Sequence, residues 1–187
     1  MIGFALCGSF CSLKAAEKVL TTLREQGEDI LPIFSQNAAA LDTRFGKAAD
    51  WIQTVTALCG REPILTIPQA EPLGPQTPLE ALILCPCTGN TLAKLACGIT
   101  DTTVTMAAKA HLRRGRPLVI ALASNDALSA NLQNIARMSE KKNVYFVPLR
   151  QDDPEKKPFS LVCDFTAVPQ TLQAARNGQQ PRPLIVE

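Results

Sequence analysis

Four short runs of polar residues carry the groups that could do chemistry: Gly8-Ser9-Phe10-Cys11-Ser12, Ser35-Gln36-Asn37, Cys87-Thr88-Gly89-Asn90-Thr91 and Ser124-Asn125-Asp126. Their hydroxyls and amides donate hydrogen bonds without carrying charge, and three of the four runs lead directly towards a helical pattern. A helix start holds unpaired N–H groups and about half a positive charge, so it can bind phosphate without a lysine. Ser, Thr, Asn and Asp are also ordinary helix N-caps. One such run alone would be read that way. Four together point to a mononucleotide site.

The two commonest nucleotide signatures, G-x-G-x-x-G and G-x-x-x-x-G-K-[ST], are missing. A dinucleotide site would also want an acid after the second strand to hold a ribose hydroxyl. Ser35 stands there, and a serine suits a phosphate oxygen better. That favours a flavin mononucleotide over NAD.

Strands must stand behind these runs. "IGFALCG" (2–8), "DILPIF" (29–34), "EALILC" (80–85), "PLVIALA" (117–123) and "VYFVPL" (144–149) are short apolar runs, as expected of strands buried on both faces. Helical spacing marks 11–27, with Leu13, Ala16, Val19, Leu20 and Leu23 on one face and Gly27 closing it. Further helices are expected over 37–60 (most clearly 47–58), from Asn90 to Gly98, over 102–115 and 131–142, and from Pro169 to Gly178. Five prolines between Pro63 and Pro78 mark a connection with little regular structure. The polar stretch 150–158 reads as a loop, and "SLVCDF" (160–165) as a short strand or extended piece. Strands alternating with helices predict a doubly wound α/β domain with a parallel sheet covered on both faces. Ligands of such sheets sit at the carboxyl ends of the strands, where the strand order reverses. The polar runs stand just after Cys7, Phe34, Cys85 and Ala123, at those ends.

Composition narrows the partners. The 187 residues suit one domain, 1–187, and 46% hydrophobic residues can build a sizeable core. A net charge of +2 with scattered basic residues gives no nucleic-acid footprint. No apolar run approaches a membrane span. The N-terminus lacks the basic lead and cleavage site of a signal peptide. Seven cysteines, an odd number, fit a reducing cytosol better than a disulfide framework. Cys7, Cys11, Cys85 and Cys87 could meet at strand ends and hold zinc or an iron–sulfur cluster. Buried cysteine is also a common core residue, and no metal is the expectation; Cys87 could alternatively be a reactive thiol.

"GSFCSLKA" (8–15) and "PCTGNTLAKLACGITD" (86–101) resemble the signatures of the flavoprotein family that includes the homo-oligomeric flavin-containing cysteine decarboxylases. "TRFGKAADWI" (43–52), "AEPLGP" (70–75), "MAAKAHLRRGRP" (106–117), "SNDALSAN" (124–131) and "QDDPEKKP" (151–158) extend the resemblance over nearly the whole chain. It implies a three-layer, Rossmann-like, flavodoxin-related fold and an FMN site shared between protomers of a trimer-based homo-oligomer. Carried over by position, the phosphate loop falls on Gly8, Ser9 and Phe10, and the hydroxyl after the second strand on Ser35. The flavin loop falls on Thr88, Gly89, Asn90 and Thr91, and the loop after the next buried strand on Ser124 and Asn125.

The chain departs from the decarboxylases in two places. They need a histidine before the flavin loop, whereas the single histidine here, His111, follows it and reads as structural. Their Pro-x-Met-Asn motif is reduced to Ala123-Ser124-Asn125-Asp126. The resemblance implies instead work beside a second subunit of NAD(P)-type fold, in the mother-cell cytosol of a spore-forming bacterium. The route runs from a dihydrodipicolinate-type precursor to pyridine-2,6-dicarboxylate. Asn125 and Asp126 are the candidate catalytic residues. A dicarboxylate wants cationic forks, for which Arg44 is the first candidate and Lys156 and Lys157 the next. The alternatives are a decarboxylase-like enzyme and a non-catalytic assembly subunit.

Overall fold

The computed structural model describes residues 1–186. Its sheet begins with β1 (Ile2–Leu6), whose five residues are all buried, and β2 (Ile30–Phe34), which runs parallel to it. The next strand, β3 (Leu82–Thr88), pairs with β1 on the side away from β2, and β4 (Leu118–Ser124) pairs parallel with β3. Strand order therefore reverses at β1, which opens the crevice between the carboxyl ends of β1 and β3. β5 (Val144–Phe146) pairs parallel with the first half of β4.

Beyond this parallel core the sheet is mixed. β6 (Leu149–Gln151) and β7 (Leu161–Cys163) form an antiparallel hairpin, and β7 pairs antiparallel with the end of β4 through Ala123 and Ser124. The expected single strand over 144–149 thus splits, and the piece at 160–165 joins the sheet. β3 also runs three residues past Cys85, where the sequence pattern ends at a proline. Pro86 has no N–H to give a ladder; the register shifts between Leu84 and Cys87, and pairing resumes at Cys87–Leu122 and Thr88–Ala123.

Helices cover both faces of the sheet. α1 (Leu13–Glu25) buries Leu13, Ala16, Val19, Leu20 and Leu23, the five positions that the spacing selects. The expected helix over 37–60 is two: α2 (Gln36–Ala40) and α3 (Ala48–Cys59). Between them Thr43 and Gly46 exchange backbone hydrogen bonds of 3.0 and 3.1 Å, and Asp42 Oδ1 accepts from the Ala48 N–H at 2.9 Å. The proline-rich connection holds a short α4 (Ile67–Ala70) and a 3₁₀ turn over Glu71–Leu73. α5 (Gly89–Ala96), α6 (Thr103–Leu112) and α7 (Leu132–Ser139) follow, and α8 (Val168–Arg176) ends the series. α1 packs on α3 and α8, while α5 packs on α6 and α7. Among the described residues no helix is long and apolar enough to cross a membrane.

His111 is fully enclosed, 1% exposed, on the inner side of α6. Its Nε2–H donates to the Pro117 carbonyl at 2.9 Å, which leaves a bare, buried Nδ1 with no partner among the described residues. Burial holds the imidazole below its ordinary value of 6.5, the Pro117 bond opposes that shift, and Arg116 adds to it. An unfolded chain takes up this proton first, so stability is whole above about pH 6.5 and falls as pH drops towards the folded value. The carboxylates titrate lower, so urea melts between pH 7 and 5.5 isolate this one histidine. Wild type is expected to lose stability across that range, and His111→Leu to show a flatter profile. Parallel profiles would contradict the buried neutral ring.

Candidate functional site

A cleft of about 1390 Å³ opens at the carboxyl ends of β1, β3 and β4 and continues along the β6–β7 hairpin. Three of the four polar runs reach its wall: Gly8, Ser9 and Phe10; Thr88, Gly89 and Asn90; Ser124, Asn125 and Asp126. Ser9 opens a 3₁₀ turn over Phe10–Ser12 that leads into α1, and its Oγ lies 3.1 Å from Ser12 Oγ. Thr88 is the N-cap of α5. Its Oγ1 accepts from the Thr91 N–H at 3.1 Å and donates to Thr91 Oγ1 at 3.0 Å. Asn90 and Asn125 are exposed. The first N–H groups of α5, at Gly89 and Asn90, have no carbonyl one turn back to bond.

Behind Gly89 lies a polar network that supports this wall. Asp126 Oδ1 accepts from Ser124 Oγ and, at 2.9 Å, from Asn131 Nδ2; Asn131 Oδ1 in turn accepts from Asn134 Nδ2 at 2.9 Å. Ser124 and then Asn131 hold the Asp126 carboxyl below the usual carboxylate range. The resulting charge stands beside the start of α5, where a helix favours an anion. Asp126 is therefore an ionised, engaged acceptor, better suited to fixing the loop than to taking a proton. Asn131 and Asn134 were not among the sequence candidates. Asn131 stands just before α7 and Asn134 in its first turn, and no local signal tied them to Asp126.

Four candidates lie off the cleft wall. Ser35 is buried and caps α2, accepting from the Ala38 N–H at 3.3 Å. Thr91 is buried beneath Thr88. The Arg44 guanidinium lies 4.8 Å over the ring of Phe45, and it is Phe45 that lines the cleft. Lys156 is exposed and 3.8 Å from Asp153. Lys157 does reach the wall, with its charge paired to Asp152. Sequence reasoning missed Arg150, Asp164 and Thr166, which the hairpin and the turn before α8 bring to the wall.

The thiols do not assemble a metal centre. Among the described residues no group of three or more His, Cys, Asp or Glu side chains is placed to hold an ion. Cys7, Cys85 and Cys87 are wholly buried, whereas Cys11 is exposed. A hydrogen bond with Cys7, followed by burial, pushes the Cys87 thiol well up, and burial does the same for Cys85. Cys87 is thus a packed thiol, not a reactive thiolate. His111 is not on the cleft wall either. The cleft offers uncharged donors, three carboxylates that are each hydrogen-bonded or ion-paired, and three cations: groups that bind and orient, with no free acid–base pair among the described residues.

Comparison with known proteins identifies the family and the fold. Residues 1–173 match the family described as Flavoprotein. The chain is 42% identical over 186 residues to the B subunit of dipicolinate synthase from Bacillus subtilis (strain 168), covering 100% of this chain and 93% of that one. The crystal structure of the dipicolinate synthase B subunit from Bacillus halodurans C superposes with a TM-score of 0.91 at 39% identity, over 100% of this chain and 95% of that chain. The FMN-dependent cysteine decarboxylase SpaF shares the fold, with a TM-score of 0.70 at 24% identity over 93% and 95% of the two chains. A doubly wound sheet with donors gathered at its switch point, matched across its whole length by a dipicolinate synthase relative, places this chain in the flavoprotein family.

Proposed function

We propose that the cleft binds FMN and that the chain serves as the flavin-binding B subunit of a dipicolinate synthase. The observation that carries the reading is the convergence of three strand-end runs on one cleft at the switch point. The donor set suits the cofactor. Ser9, the first N–H groups of α5, Asn90 and Asn125 are uncharged donors for phosphate, ribityl and ring atoms, and Phe10 supplies an apolar wall. Ser35 and Thr91 act from behind, Ser35 capping α2 and Thr91 fixing Thr88. Bound flavin supplies an acceptor for the electrons removed when a dihydrodipicolinate-type ring becomes pyridine-2,6-dicarboxylate. The protein orients the ring, screens it from water and balances its carboxylates.

In this reading the partner is the A subunit of dipicolinate synthase, and the setting is sporulation in the mother-cell cytosol. Homo-oligomerisation, trimer-based, would cover exposed apolar side chains such as Leu41, Ile99 and Leu132. Catalysis by Asn125 or Asp126 would be confined to hydrogen bonding, because Asp126 is already engaged. That same engagement favours a second reading, in which the A subunit performs the chemistry and this chain is an accessory. Mixing the two purified proteins with precursor separates the readings. Product formation that requires this chain and its flavin is expected. Full-rate synthesis by the A subunit without this chain would overturn the enzymatic role.

A further inference from the structure

We infer that Arg150 anchors a carboxylate of the substrate; this deepens the proposed function and rests on it for the identity of the ligand. The cleft wall holds three cations, Lys18, Arg150 and Lys157, and three carboxylates, Asp126, Asp152 and Asp164. Every carboxylate is already engaged. Asp126 takes Ser124 and Asn131, Asp152 takes Lys157, and Asp164 Oδ1 accepts from the Thr166 N–H at 3.0 Å and Thr166 Oγ1 at 2.6 Å. Lys157 is thereby neutralised. Arg150 and Lys18 remain without an ion pair among the described residues. The wall is neutral overall, but the Asp126 and Asp164 carboxylates are held by neutral donors, so the Arg150 fork has no carboxylate of the chain on it.

Strand register shows where Arg150 stands. Thr88 pairs with Ala123, Ala123 with Val162, and Val162 with Arg150. Paired residues share a face of the sheet, so these four form one row across β3, β4, β7 and β6, and all four line the cleft. Three strand spacings put the Arg150 backbone about 14 Å from Thr88, at the far end of the same wall. The flavin loop thus closes one end and a planar, always-charged fork the other. Such a fork matches a carboxylate or a phosphate through two parallel hydrogen bonds. With the FMN phosphate assigned to Ser9 and the start of α5, a substrate carboxylate is the ligand left for Arg150. Lys18, a point charge on α1, adds positive potential without that geometry. Arg44 and Lys156 lie off the wall and are replaced in this role.

The test is calorimetric titration of pyridine-2,6-dicarboxylate into the full chain, with and without FMN, beside Arg150→Met, Arg150→Lys and Arg114→Met. Arg114 lies outside the cleft and controls for lost charge. Charge-assisted bonds of this kind correspond to about 10- to 100-fold in affinity. Arg150→Met is expected to bind at least about tenfold more weakly, Arg150→Lys to fall between, and Arg114→Met to match wild type. Arg150 is exposed, so its variants should melt as wild type does, and their FMN content should not change. Equal affinity in wild type and Arg150→Met, or no binding by wild type, overturns the inference. Absence of FMN from every protein would instead overturn the flavin reading, with the effect of Arg150 on dicarboxylate affinity still measured.

Discussion

Gly89→Ala is expected to lower the melting temperature by roughly 3–10 °C and to strip the chain of flavin. A Cβ at Gly89 would lie 2.5 Å from Ser124 Oγ, 2.5 Å from Asn131 Nδ2 and 3.0 Å from Asp126 Oδ1. These atoms are the ends of side chains, yet they are not free to swing. Ser124 and Asn131 are buried, both bond the Asp126 carboxylate, and Asn131 is held from behind by Asn134. Making room therefore breaks hydrogen bonds to a charge, worth about 1.5–3 kcal/mol each, or overpacks the site at about 1–3 kcal/mol. Each kcal/mol moves the melting point of a domain this size by about 2–4 °C. Gly8→Ala is the comparison: its Cβ would meet Asn37 and Phe10 only at ordinary distances of 3.4 Å and beyond. Thermal melts of both variants read the difference in packing, and flavin absorbance after desalting compares Gly89→Ala with wild type. If Gly89→Ala melted like wild type and kept its flavin, the network would not be what shapes the loop.

Gly74→Ala is expected to destabilise the fold by about 1–3 kcal/mol or more while sparing the cleft. Here the obstacle is backbone: the new Cβ would stand 2.6 Å from the Ala110 carbonyl oxygen and 3.2 Å from its carbon. Ala110 is buried in α6, which packs on β2, β3 and β4, so neither the turn nor the helix can yield cheaply. Urea unfolding measures the loss. Ala110→Gly should not rescue it, because the clash is with a carbonyl that every residue carries. Rescue, or a loss below about 0.5 kcal/mol, would show that the turn over Glu71–Leu73 moves freely against α6.

Patterns that repeat locally were readable. The 3.6-residue spacing of Leu13, Ala16, Val19, Leu20 and Leu23 is the buried face of α1, and the apolar runs at 2–6, 30–34 and 118–123 are strands of the parallel core. Features made by distant partners were not. Pro86 signals an end to any strand, and only the register shift against β4 lets β3 continue to Thr88. Helical periodicity carries through 37–60, yet a turn at Thr43–Gly46 and a long-range cap from Asp42 cut it in two. The stretch of β7 was readable as a short strand, but β6 and the hairpin pairing were not, because the strands are three residues each and nine residues of mostly polar chain separate them.

The candidate site divides along the same line. Runs immediately after strands, such as Gly8-Ser9-Phe10 and Thr88-Gly89-Asn90, could be placed by topology alone, and the fold carries them to one cleft. Whether a hydroxyl faces that cleft or caps a helix depends on one side-chain torsion, and Ser35 and Thr91 turned inward. Arg150 read only as the start of a polar loop, because its place on the wall is set by register with Val162, twelve residues further on.

The measurement that bears most directly on the central proposal is the visible spectrum of the purified chain before and after soaking with FMN and desalting. A retained flavin band corresponding to about one FMN per chain is the expected result, lost in Gly89→Ala and kept in Arg150→Met. A soaked wild-type chain that retains no flavin would contradict an FMN site built from Gly8, Ser9, Thr88, Gly89 and Asn90.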